Sequence, residues 1–404
     1  MFARRDFLKI GSLTALAAGV GVASGSGRAF AENATLPFGN GDRPLVAYPG
    51  KRPLIRLTSR PPQLETPFSV FDEGLITPND AFFVRYHLAD IPLSIDPDVF
   101  SIAVKGKVDR SLTLSLQDLK TGFEPLEYVA VNLCSGNSRG FFEPRVAGGQ
   151  LANGAMGNAR WKGVPLKAVL DRAGVQAGAR QVTFNGLDGP VIPETPDFVK
   201  ALDLDHARDG EVMIAYAMNG QDLPWLNGFP VRLVVPGCYG TYWVKHLNEI
   251  TVADAVFDGF WMKTAYRVPD NACACTEPGQ TASATVPINR YDVRSFVTNL
   301  ADGAKVKADA DSTVKGIAFD GGYGISEVVV SADGGRTWTS ATLGENLGRY
   351  SFRPWQAVLR FAAGPHDLKV KATNRIGQSQ PPAPLWNAAG YMRNVVETTK
   401  IIAA

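Results

Sequence analysis

Short alternating runs of apolar and polar residues, bounded by Gly, Pro, Asn and Asp, fill most of this 404-residue chain and predict strands rather than long helices. Between about residues 53 and 267 the alternation predicts strands over 81–87, 100–108, 181–185 and 231–235. One stretch, 165–173, has helical spacing instead, and Gly174 stands in its C-terminal cap region. After residue 287 the strands recur at short, regular spacing over 313–319, 325–331, 338–341, 357–361 and 367–372, with Asp333-Gly334 as a tight hairpin turn. That half reads as an all-β, immunoglobulin-like sandwich. Residues 32–50 read as an extended arm, and 271–287, rich in Pro, Ala, Thr and Gly, as a linker. The expected fold class is α+β, with a mixed α/β domain over 32–270 and the sandwich over 288–404. No internal repeat or low-complexity run interrupts this division.

The first 31 residues are of another kind. Arg4-Arg5-Asp6-Phe7-Leu8-Lys9 precedes an Ala/Gly-rich run that closes on Ala29-Phe30-Ala31, the pattern of a twin-arginine signal with a small-residue cleavage site. An amphipathic helix or a membrane anchor is the competing reading, but the run is too short and Gly-rich for a span of about 20 apolar residues. Such export carries folded proteins, so it suggests a cofactor inserted before transport and a periplasmic destination. Removing 1–31 takes the formal charge from +2 to about −1, which points to neither nucleic acid nor a membrane surface. No later stretch is apolar enough to span a bilayer.

Four cysteines stand in a chain bound for an oxidising compartment: Cys134, Cys238, Cys273 and Cys275. The tight spacing of Cys273 and Cys275 disfavours an unstrained bridge between them, and Cys134 is expected to be free. No Cys-x-x-Cys-His occurs, so the chain lacks the usual c-type haem attachment motif. His87, His206, His246 and His366 show no metal-ligand spacing.

Candidate chemistry lies in three segments. Val131-Asn132-Leu133-Cys134-Ser135-Gly136-Asn137-Ser138-Arg139 ends an apolar run on a cysteine, which is either an ordinary buried thiol or a thiolate presented to a soft metal. Gly228-Phe229-Pro230-Val231-Arg232 opens a strand that ends in Pro236-Gly237, with Lys245 and His246 beyond. Phe82-Phe83-Val84-Arg85-Tyr86-His87 alternates so that Phe83, Arg85 and His87 share a face. Alone, an Arg and a His two apart on a strand describe a solvated face.

Together these motifs resemble the sulfite oxidase family of molybdenum enzymes, whose metal carries one molybdopterin and one protein cysteine. The resemblance runs from Pro53 to the C-terminus. It implies that Cys134 ligates molybdenum. Arg85 and Arg139 would bind an oxyanion, with Phe83 and His87 beside the pterin. It puts Asp188, Asn227, Arg232 and Lys245, with the Trp243-Val244 pair, where the family holds pterin and phosphate, although Trp243 and Trp355 read as packing residues on their own. Phe260-Trp261-Met262-Lys263-Thr264-Ala265-Tyr266-Arg267 carries the tyrosine of the active-site mouth, Tyr266, and Trp261 fits an aromatic cluster. Two departures stand out: Asn227 replaces a frequent histidine, and Leu151 replaces a tryptophan of animal relatives, which implies a more open pocket wall.

The resemblance is closest to the molybdenum subunit of periplasmic sulfite:cytochrome c oxidoreductases. It implies oxidation of sulfite to sulfate, catalysed by Arg85, Arg139, Tyr266 and His87, with single electrons passed to a c-type cytochrome partner in a heterodimer and no haem in this chain. The competing readings are a periplasmic S-oxide reductase, whose relatives generally lack the C-terminal sandwich, and a non-enzymatic sandwich binding protein. Nitrate reductase fits less well, since it carries appended haem and flavin domains.

Overall fold

The computed structural model describes residues 32–404, and the expected signal segment, 1–31, lies outside them. Among the described residues, strands dominate and the four α-helices are short; the longest is Leu166–Ala173. Its apolar positions Leu166, Val169, Leu170 and Ala173 follow helical spacing and are buried, and Gly174 ends it at φ 74°. Helix is thus a smaller share than the α+β expectation implies. Elsewhere the hydrophobic period is two, and the chain follows it.

Three sheets build the first part. An antiparallel one runs from Asn33–Thr35 through Asp42–Val46, Leu54–Ser59 and Pro62–Glu65 to Val84–Arg85. A mixed sheet orders Lys200–Asp203, Gln181–Gly186, Leu247–Ala253, Ser101–Gly106 and Leu112–Ser115, with one parallel pairing between Leu247–Ala253 and Ser101–Gly106. The third sets Leu126–Leu133 against Met156–Pro165 and then Met213–Met218, which also pairs with Arg232–Val234. Leu126–Leu133 is buried along its last five residues, so its apolar run is covered on both faces.

The second part is a two-sheet β sandwich. One sheet orders Arg294–Val297, Asp311–Phe319, Arg353–Arg360 and Thr342–Leu343; the other orders Ala304–Val306, Glu397–Ala403, Gly364–Asn374, Ile325–Ser331 and Thr339–Ser340. Trp355, Phe361, Leu368 and Val370 lie in its core, so Trp355 is the packing residue expected. Phe296, Ile317, Phe319 and Phe352 instead join the core of the first part, which ties the two together.

Two expectations change. The strand expected over 81–87 shrinks to Val84–Arg85, because side chains rather than a neighbouring strand take its carbonyls. Thr66 Oγ1 donates to the carbonyl of Ala81, Lys51 Nζ to Phe82, Asn227 Nδ2 to Phe83 and Lys245 Nζ to Arg85. Cys273 and Cys275 are bonded to each other, against the expectation. Asn271 makes the closure possible: its amide accepts from Cys275 N (3.2 Å) and donates to Cys275 O (2.8 Å), while Ala274 turns left-handed at φ 49°. Cys134 and Cys238 are free.

The Asp333 hairpin carries a prediction. Its carboxylate accepts from Thr337 N (2.9 Å), Thr337 Oγ1 (2.7 Å), Ser331 Oγ (2.7 Å) and Arg336 N (2.9 Å). These bonds, led by Thr337 N, hold its pKa below the usual carboxylate range. A depressed acid contributes its full stabilisation above the unfolded pKa of about 4, and that contribution falls away as pH drops from there through the lower folded pKa. Asp333→Ala is expected to lower Tm at pH 7 and to lower it by less at pH 2, checked by calorimetry across that range.

Candidate active site

The strand Leu126–Leu133 delivers Cys134 to the lining of a narrow cleft with about 40 Å³ of free volume. Beyond it the chain turns at once: Cys134 N donates to Ala155 O, Asn137 N to Cys134 O and Arg139 N to Gly136 O, each at 3.0 Å. The turn is locked from the sandwich side. Buried Arg294 donates from Nη1 to Asn137 Oδ1 (2.7 Å) and from Nη2 to Ser138 Oγ (3.0 Å), while Glu397 pairs with it at 2.8 Å. Asn137 therefore fixes the loop that presents the thiol.

Phe83, Arg85, His87, Cys134, Asn227, Arg232, Trp243, Lys245 and Tyr266 all line the same cleft. The alternation read from the sequence holds locally, since Val84 and Tyr86 point the other way into a cluster with Leu54 and Leu64. Cations are in excess here. Arg232 is buried between the rings of Trp161 (5.2 Å) and Trp243 (5.6 Å), its Nη1 and Nη2 donate to the carbonyls of Asn227 and Trp243 (3.0 Å each), and no carboxylate pairs with it among the described residues. Burial pushes its pKa down to about 9. Lys245, above the Tyr86 ring at 4.2 Å, is pushed down to about 7 by burial, with Asp188 opposing. Asp188 itself is buried behind the wall, its pKa raised by burial and pulled back by Lys245.

Polar atoms in this wall also lack partners. Asn132 Oδ1, Ser135 Oγ, Thr241 Oγ1 and Arg232 Nε are buried without a hydrogen bond, and all four residues line the cleft. Buried polar groups left unpaired cost about 1–3 kcal/mol each. An excess of buried cations beside orphaned donors and acceptors fits a large, polar, anionic group with a phosphate. No cluster of three or more His, Cys, Asp or Glu forms among the described residues, so a metal here would take the Cys134 thiolate and bring its other donors with it.

Tyr266 sits at φ 58°, a left-handed conformation unfavourable for an aromatic residue, with its carbonyl bonded to Ile288 N (2.9 Å). Its phenol hydrogen-bonds His87 Nε2. Burial raises the Tyr266 pKa, and burial together with Arg85, Lys245 and Lys200 holds His87 well below its usual value. The pair is neutral around pH 7. His87 stacks on Phe198 (3.7 Å) and meets Trp261 edge-on (5.1 Å), which places Trp261 in the aromatic cluster expected of it.

Besides Asp188, three residues do not reach the cleft as the motifs suggest. Arg139 is buried beside it, its Nε donating to Gly390 O (3.3 Å). Val244 is core, with its N–H on Tyr242 O and its carbonyl on Leu233 N. Leu151 is buried and does not line the cleft. Asn227 lines the cleft but is already engaged: Lys51 Nζ donates to its Oδ1 (2.5 Å) and its Nδ2 donates to Phe83 O (3.0 Å). The sequence reading missed Lys51, Lys200, Phe198 and the orphaned groups. Asn132, Ser135 and Thr241 lay within or beside the quoted motifs; Lys51 and Lys200 carry no local signal.

A cleft-facing thiol beside buried cations and unpaired polar atoms fits a cofactor-dependent oxidoreductase of the molybdopterin type. Residues 88–261 match the oxidoreductase molybdopterin binding domain and residues 285–403 the Mo-co oxidoreductase dimerisation domain. The chain is 34% identical to mitochondrial sulfite oxidase of Homo sapiens over 382 residues, covering 90% of this chain and 68% of that protein. It is 29% identical to a nitrate reductase of Hordeum vulgare over 86% of this chain and 42% of that protein. Its fold matches the sulfane dehydrogenase SoxCD from Paracoccus pantotrophus at a TM-score of 0.73 and 22% identity, covering 95% of this chain and 93% of that one. The chain belongs to the sulfite oxidase family of molybdenum enzymes, and its cofactor is molybdenum carried by molybdopterin.

Proposed function

We propose that this chain is a sulfite dehydrogenase: it oxidises sulfite to sulfate in the periplasm, after twin-arginine export, and passes electrons singly to a c-type cytochrome bound as a heterodimer. The observation that carries this is the free Cys134 thiol facing the same cleft as Arg85, Lys245, Arg232 and Tyr266. Cys134 would ligate molybdenum. Arg232, Lys245, Asn227, Trp243, Phe83 and His87 would hold the pterin, with Asp188 balancing Lys245.

The bound cofactor supplies two-electron oxygen-atom transfer. Sulfite gains one oxygen, ultimately from water, and two electrons and two protons are released. This chain's own part is electrostatic: Arg85, which lines the cleft, draws an oxyanion in, and Arg139, buried beside the cleft, adds positive charge that offsets the anion's. The neutral Tyr266 phenol, oriented by His87, donates to the anion without adding charge. Electrons leave through the aromatic cluster of His87, Phe198 and Trp261 toward Phe260, which is 43% exposed.

Molybdenum content together with sulfite-dependent reduction of ferricyanide tests the reading. About one molybdenum per chain with sulfite turnover supports it; molybdenum without turnover would move the activity to S-oxide reduction. Tyr266→Phe is expected to cut kcat/KM for sulfite about 10–100-fold, the worth of one hydrogen bond to an anion. Because neither Tyr266 nor His87 ionises near neutrality, the pH profile of kcat/KM should keep its shape in that variant.

A further inference from the structure

Arg139 poses a question that the catalytic residues do not answer. It is a buried guanidinium, and no carboxylate pairs with it among the described residues. What surrounds it comes from the far end of the chain. Its Nε donates to Gly390 O (3.3 Å), and its guanidinium lies over the Tyr391 ring at 4.8 Å. Tyr391 also stacks on Tyr266, with ring centres 5.3 Å apart and planes 14° from parallel. Tyr391 thus touches both Tyr266, which lines the cleft, and Arg139, which is buried beside it.

The segment that carries Tyr391 is built to hold this position. Trp386 Nε1 donates to Pro144 O (2.8 Å), and Trp386 O accepts from Thr276 N (2.8 Å), so the segment is clamped to two separate loops. Asn387 then closes a tight turn: its Nδ2 donates to Tyr391 O (2.9 Å) and its Oδ1 accepts from Tyr391 N (3.2 Å). Gly390 takes φ 63°, and a Cβ there would come within 2.4 Å of Val146 and 2.9 Å of Arg139. Only glycine lets the turn approach the arginine so closely. Burial raises the Tyr391 phenol, and the charges of Arg139 and Arg85 oppose that rise, which keeps a neutral ring beneath a cation.

We propose that Tyr391 is a positioning residue for the oxyanion pocket: its ring holds the Arg139 guanidinium and braces Tyr266, so that the C-terminal sandwich supports the substrate site. This rests on the oxyanion reading of the cleft. The role belongs to the π face, since an aromatic ring attracts a cation and stacks on a phenol, whereas an aliphatic side chain of similar bulk does neither.

The test uses the cofactor-loaded protein, with sulfate as a non-reacting probe titrated by calorimetry beside sulfite kinetics. Tyr391→Leu is expected to weaken sulfate binding about tenfold and to raise KM for sulfite by a similar factor, with kcat within about twofold. Tyr391→Phe keeps the ring and should stay within about twofold of the parent in all three. Tyr391→Leu binding sulfate as tightly as the parent, or Tyr391→Phe failing like Tyr391→Leu, would overturn the proposal. So would a parent protein that does not bind sulfate. A parent that binds sulfate but leaves sulfite unoxidised would remove the dehydrogenase reading while the Tyr391 comparison still decides the positioning role.

Discussion

Cys134→Ala is expected to lower sulfite turnover by about a thousandfold, roughly 4 kcal/mol of transition-state stabilisation, in a protein that still folds. The two halves of that expectation come from different atoms. The backbone of Cys134 anchors its turn through Ala155 O and Asn137 N, and alanine keeps both bonds. The thiol is only half-buried at the cleft, so its removal should cost stability little, within about 1 kcal/mol. What disappears is the one sulfur that lines the cleft among the described residues. The cations and polar atoms of the wall remain, so pterin should be retained while the thiolate-to-metal absorption is lost. Elemental analysis, visible absorption and ferricyanide reduction on the same sample check the three parts together. Full turnover in the variant would remove Cys134 from the metal and with it the proposed function.

The residues legible in the sequence share a property: their role is announced by neighbours along the chain. Cys134 closes an apolar run before turn-forming residues, Arg85 and His87 alternate with Val84 and Tyr86, and Tyr266 follows an aromatic cluster. The helix Leu166–Ala173 and most sandwich strands were legible because their hydrophobic period is local. The extent of the strand at Val84–Arg85 was not, because it depends on Lys51, Thr66, Asn227 and Lys245 reaching its carbonyls from elsewhere. The same cause hid Tyr391, which meets Tyr266 across 125 positions of chain, and Lys200, whose buried amine faces the rings of Tyr242 and Tyr266. The Cys273–Cys275 bridge escaped a spacing rule because Asn271 shapes the loop in a way that spacing alone does not express.

Arg232 separates a cofactor anchor from a structural residue. Arg232→Met is expected to lower molybdopterin retention about a hundredfold while barely moving the stability of the cofactor-free protein. In the cofactor-free state the guanidinium is a liability: it is buried between two tryptophans with no carboxylate, its Nε is unpaired, and burial drives its pKa down. A guanidinium does not shed its proton in any ordinary range, so that cost persists until an anion arrives. Methionine leaves the carbonyls of Asn227 and Trp243 without their donor, at about 1–3 kcal/mol each, but relieves a buried charge of comparable cost. It also keeps apolar bulk between Trp161 and Trp243. The two effects offset in the empty protein and do not offset in the loaded one, where the anion would also lose the guanidinium charge and its unpaired Nε donor. The difference in Tm between loaded and cofactor-free forms should therefore collapse in Arg232→Met, while the cofactor-free Tm stays near that of the parent. A structural arginine would give the reverse, a loss of about 3–5 kcal/mol in the cofactor-free form with unchanged pterin per folded chain.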